Sequence, residues 1–177
     1  RAPSVVAMAD ETVPSQDYRL AAVALGLGVT TLAAPWLVGG LLVLLGLLFL
    51  VQTFRIRFVF DSDAFEVKSL DLSGVTSGDF SSLTKTGANF AVGGENRWRY
   101  DSFVNYDFLP SIDLPILVYF KETQTPADKW DVGPGKLANS DEALARGAVK
   151  GQVHFFPCIA DARELQAAFE AKGCAKL

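Results

Sequence analysis

His154 is the only histidine of the 177 residues, and Cys158 and Cys174 are the only cysteines. An activated nucleophile would need that histidine beside a serine or cysteine, with a carboxylate to orient it, and nothing near it in sequence supplies the set. In "QVHFF" His154 alternates with Val153 and Phe155, which favours a structural place in a strand over a ligand role. The two cysteines are too few and too widely spaced for a zinc site and are expected as free thiols in a reducing compartment. "VGGENR" and "VGPGKL" contain glycines and a cation, yet neither has phosphate-loop spacing between a strand and a helix, so both read as turns. No catalytic set and no metal set emerges, and the chain is expected not to be an enzyme.

The elements that must position any site begin with an uncharged run. No acid, base or histidine stands between Arg19 and Arg55. One helix over Leu20 to Val51 would be about 48 Å long, against a bilayer core of about 30 Å. Pro35 lacks an amide hydrogen and disfavours helical geometry in the residue before it, so the run is expected to break there. The spacing predicts a transmembrane helical hairpin over 17–54, with one helix at 17–33, a turn at 34–36 and a second helix at 35–54. Trp36 then anchors the far interface, and Arg19, Arg55 and Arg57 lie together on the cytoplasmic or equivalent side. A buried hairpin in a soluble protein is the competing reading, and too few residues remain to wrap it. Ala22 and Gly26, like Ala24 and Gly28, put small residues one turn apart, suited either to packing within the hairpin or to docking on a partner helix.

Composition agrees with a membrane class: 50% of the residues are hydrophobic, and the net charge is only −4. An acidic balance argues against nucleic acid, whose binders present a basic face. Residues 1–16 form an N-terminal tail in which "RAPSVVAMADETVP" resembles the cleavage region of an organelle targeting sequence.

Residues 55–177 read as one mainly β domain. "FRIRFVF" and "FEVKSL" alternate as a hairpin, "NRWRYDSF" resumes the alternation, and "PILVYFKE" and "GQVHFFPCI" are apolar strands. Polar insertions are expected near 72–94 and over 123–150, with a short helix after Ser140. A C-terminal helix over 161–172 is capped by Asp161 with Glu164 three residues on, lines one face with Leu165, Ala168 and Phe169, and ends at Gly173. The expected fold is a membrane α-helical hairpin plus an α+β soluble domain: an antiparallel pleckstrin-homology-like β-barrel or sandwich closed by the C-terminal helix.

"LLVLLGLLFLVQTFRIRFVFDSDAFEV", "WRYDSF", "LPILVYFKE", "VHFFP" and "ELQAAFEAKGC", in that order, resemble a family of cyanobacterial and chloroplast proteins known only as a domain of unknown function. The resemblance runs from about Leu41 to Cys174 and implies a membrane hairpin, a small β domain facing the stroma, and a thylakoid or related plastid membrane. It assigns no catalytic residues. In such a membrane chlorophyll becomes a candidate ligand, and Gln52 is the one side chain of the hairpin suited to its magnesium. No intrinsic cofactor is expected, and chlorophyll, carotenoid or lipid would sit at interfaces with neighbouring subunits.

Two functions follow as expectations. The first is a non-catalytic thylakoid subunit or linker of a photosystem and light-harvesting antenna supercomplex, with photosystem I slightly favoured. Its partners would be photosystem core subunits, antenna proteins and thylakoid lipids, met through Ala22, Gly26 and Trp130. The second is an assembly or regulatory factor that binds protein or anionic lipid, using a basic face of Arg55, Arg57, Lys68, Arg97 and Arg99.

Overall fold

The computed structural model describes residues 11–71, 73, 81–87 and 95–177. Most of the insertion expected near 72–94, and the tail up to residue 10, lie outside the described residues. Two helices come first: α1 (Arg19–Thr31) and α2 (Trp36–Arg55). They pack against each other through glycines. A Cβ on Gly28 would fall 2.6 Å from the Val43 nitrogen, and one on Gly46 would fall 2.7 Å from the Leu25 Cγ, so only a residue without a side chain permits the approach.

The expected two-span hairpin is corrected here. α1 has 13 residues, about 20 Å of helix, and among the described residues only α2 is long and apolar enough to cross a membrane. The reasons lie at both ends of α1. The expected first turn is drawn into the β-sheet domain, where the Asp17 amide donates to the Ile159 carbonyl at 2.9 Å. At the other end the Thr30 and Thr31 hydroxyls turn back onto the carbonyls of Gly26, Leu27 and Gly28, a bonding pattern that weakens helix continuation. Pro35 then caps α2, which starts at Trp36.

The domain has two antiparallel sheets. In the first, β1 (Ile56–Phe60) pairs with β2 (Ala64–Leu70), from Ile56 opposite Ser69 to Phe60 opposite Phe65. The short strands β3 (Leu83–Lys85) and β4 (Arg97–Arg99) share the other edge of β2. A 3-10 turn (Tyr100–Ser102) leads into the second sheet of β5 (Phe103–Ser111), β6 (Leu114–Glu122) and β7 (Gln152–Pro157), in that spatial order.

Between β6 and β7 the chain forms the short helices α3 (Gly135–Ala138) and α4 (Asp141–Ala145). The last helix is α5 (Ala162–Ala171), whose cap Asp161 accepts the amides of Arg163 and Glu164. Alternation on the strands turns Phe58, Phe60, Phe65, Trp98, Phe103 and Phe120 inward, and α5 adds Leu165 and Phe169 to the same core. Phe169 meets Phe60 edge-on at 4.9 Å.

The expected pleckstrin-homology-like barrel or sandwich closed by the C-terminal helix is also corrected: the fold is α+β with two sheets and no closed barrel among the described residues. β2 gives one edge to two three-residue strands, which leaves no continuous ladder from the first sheet to the second. Residues 11–17 partly fill the seam on the β1 side. Thr12 bridges to Phe60 and Gln16 to Ala160, and the Ser15 amide donates to Glu164 at 2.7 Å. Glu164 therefore serves this segment instead of returning to its own helix cap.

Candidate functional site

The outer surface of the helix pair is the largest apolar feature. Trp36 (72% exposed), Leu37, Leu41, Leu44, Leu48 and Val51 of α2 all face outward. α1 turns Ala21, Ala24 and Gly28 towards α2, while Ala22 and Gly26 lie on the opposite, exposed side, with open space around Gly26. The structure thus divides the two small-residue spacings: one packs the pair, and the other is left free. Gln52 is half-buried in the last turns of α2, and its carbonyl accepts the Ile56 amide.

The flanking cations separate in role. Arg19 pairs with Asp17 at 2.5 Å. Arg57 donates to the carbonyls of Thr53 and Phe54 in the last turn of α2, where intrahelical donors run out, and to that of Ile56 at the start of β1. Arg55 leaves its Nε buried without a partner. The remaining members of the expected basic face are neutralised within the chain. Arg97 bonds to Asp61 and, at 3.0 Å, to Glu66. Lys68 pairs with Glu11 at 2.9 Å, and Arg99 with Asp101 at 2.7 Å. Burial works against the charged form of Asp61, but bonds from Arg97 and the amides of Asp63 and Ala64 win and hold it down to about 2.

A buried polar cluster roots the 123–150 insertion on the second sheet. Glu122 is fully enclosed, and its Oε1 lies 2.8 Å from His154 Nε2 and accepts the Thr125 hydroxyl at 2.7 Å. Its Oε2 accepts the amides of Gln124 and Thr125. Burial pushes this carboxyl up, but the bonds from His154 and Thr125 outweigh it and hold it below the usual glutamate range. His154 sits on the inner face, 4.7 Å from the rings of both Phe120 and Trp98.

On the other side of β6, Lys121 donates to the carbonyls of Ala138 and Val149 at 2.9 and 2.7 Å, and burial lowers its pKa. Asn139 completes the brace. It donates to the carbonyls of Trp130 and Gly151 and accepts the Gly151 amide. Trp130 folds back, its indole N–H bonded to the Thr125 carbonyl at 2.7 Å.

Every polar atom just named in Glu122, Lys121 and Asn139 is spent on holding chain to chain, which makes the cluster a scaffold. Among the described residues no group of three or more His, Cys, Asp or Glu is placed to hold a metal. Cys158 and Cys174 are free and buried, and burial pushes both thiols up to about 12, far from a reactive thiolate. An open pocket of about 360 Å³ lies between the insertion and the second sheet, with Tyr119, Lys121 and Arg146 on its wall.

Sequence reasoning missed Lys121, Glu122 and Asn139. The signal available was the charged pair ending the apolar run "PILVYFKE", where two ionisable groups enter a strand just before a long insertion.

No curated protein and no solved structure gives a significant match to the chain. The profile of one family, described as a protein of unknown function (DUF3119), matches residues 12–174, from the strand-like N-terminal segment through α5. With nearly all of its length inside that match, the chain belongs to the DUF3119 family.

Proposed function

We propose that this protein is a non-catalytic, membrane-embedded subunit or linker of a larger membrane complex, with α2 seated in the bilayer and the two-sheet domain at the surface. The observation that carries this reading is the outward apolar surface of α2, which stays exposed among the described residues. Water would penalise that surface heavily, whereas lipid or an apolar neighbour would not. Arg19 and Arg55 stand at the same end of the helix pair, next to the domain, which supports a cytoplasmic or equivalent side for it. The exposed Ala22 and Gly26 give a neighbouring helix a place of close approach.

The resemblance noted in the sequence supports a thylakoid membrane and a photosystem with its antenna as the host, photosystem I being the favoured one. Pigment or lipid contacts would then be shared with neighbours. The paired state of Arg97, Lys68 and Arg99 weighs against the competing reading, in which a basic face recruits the protein to anionic lipid.

Native gels of mildly solubilised thylakoid membranes test the proposal. A subunit or linker comigrates with the intact supercomplex at a fixed ratio. Migration only with assembly intermediates would favour the transient factor, and migration as a free chain would defeat both readings.

A further inference from the structure

The end of the domain from which the helices depart carries a second apolar surface. β7 stops at Pro157 opposite Leu117, and the Cys158 amide extends the ladder to the Ile116 carbonyl at 2.9 Å. The next carbonyl, that of Ile159, accepts from Asp17, two residues before α1 begins. The turn of the β5–β6 hairpin therefore lies beyond this junction, beside the root of the helix pair.

Its exposed large apolar side chains are Leu109 (36%), Leu114 (63%) and Ile116 (44%). Leu114 and Ile116 lie beyond the buried Val118 and Phe120 on β6, past the register shift between Leu109 and Pro110, where the hairpin runs out beyond the core. Pro110 stands opposite Pro115, and neither has an amide hydrogen to leave unsatisfied away from water. The turn's charge is compensated: Asp113 pairs with Arg163 at 2.6 Å, both largely exposed, which keeps that pair at the polar level.

We propose that the β5–β6 turn is a second membrane contact, with Leu109, Leu114 and Ile116 entering the interfacial layer of the leaflet that receives the root of the helix pair. The inference rests on the reading of α2 as membrane-embedded, and the bilayer is chosen as occupant because the patch is continuous with that root. Two attachments would hold the domain in one orientation, with the second sheet leaning on the membrane and the 123–150 insertion held away from it.

The test uses the full chain in phosphatidylcholine vesicles that carry a nitroxide near the headgroup. Leu114→Cys, Leu45→Cys and Leu137→Cys are each labelled with an environment-sensitive fluorophore; the native thiols are buried. The expected result is a blue shift and quenching at position 114 and at position 45, with neither at position 137, which lies in the insertion. Position 114 behaving like 137 while position 45 is quenched would overturn the second contact and leave the membrane reading intact. Loss of quenching at position 45 as well would overturn the membrane reading itself. Protection of position 114 in native membranes but not in protein-free vesicles would replace the lipid by a protein partner.

Discussion

Glu122 shows how much one residue can organise. It has no exposed surface, yet four bonds converge on its two oxygens, from His154, from the Gln124 amide and from the amide and hydroxyl of Thr125. Removing one partner of a buried pair costs about 3 kcal/mol or more, because the other is left uncompensated. Glu122→Ala should therefore lower the thermal midpoint of the purified chain strongly, and Glu122→Gln, which keeps the volume and one acceptor oxygen, less so. An unchanged midpoint for the alanine variant would contradict the scaffold role. Asp61 gives a prediction with a defined pH window. Its carboxyl is depressed to about 2, below its ordinary value of about 3.9, so its stabilising effect is complete above about pH 4 and is lost as pH falls towards 2. Asp61→Asn should be less stable than wild type at neutral pH and should lose less on acidification, which melts between pH 6 and 2.5 would measure. At this scale the sequence was poor about pairings. Glu122 and His154 are 32 residues apart, and only the β6–β7 register places them together.

The helix pair belongs to the scale of elements. Gly28 meets Val43 so closely that any side chain must displace backbone, and overpacking of this kind costs about 1–3 kcal/mol. Gly28→Leu should separate α1 from α2, while Gly26→Leu, facing open space, should leave them together. The distance between spin labels at the exposed positions Val23→Cys and Leu47→Cys would report the difference: lengthened with the first substitution and unchanged with the second. Equal distances in both backgrounds would show that the glycines do not set the packing. The break at Pro35 and the apolar character of both helices were readable from residue types. The true start of α1 was not, because the residues before it are held by β-type pairing to Ile159 and Ser15's partner Asp161, a tertiary competition with no local signature. The insertion is similar. Its polar composition suggested a loop, but Lys121 and Asn139 tie it down through backbone groups that composition does not display.

For the whole molecule, alternation and capping predicted an α+β domain closed by a C-terminal helix, and the core does combine strands with α5. Closure into a barrel could not be read from alternation, since period-two patterning fixes which face is buried but not which edges meet. The two sheets meet instead through side chains and through residues 11–17, which touch β1 and the segment after β7 at once. This segment also runs directly into α1, so the domain is joined to the helix pair at two places, before Arg19 and after Arg55. A chain beginning at Tyr18 would lose the pairings with Phe60, Ile159 and Asp161 and the bond to Glu164. It would expose the edge of β1, an invitation to aggregation. Each lost bond is worth about 1 kcal/mol, offset in part by the conformational freedom returned to the segment. The expected outcome is a lower thermal midpoint with faster proteolysis at β1 and α5. If the shortened chain melted and was cleaved like the full one, residues 11–17 would add nothing to the fold, and the domain would be joined to the helix pair by the α2–β1 junction alone.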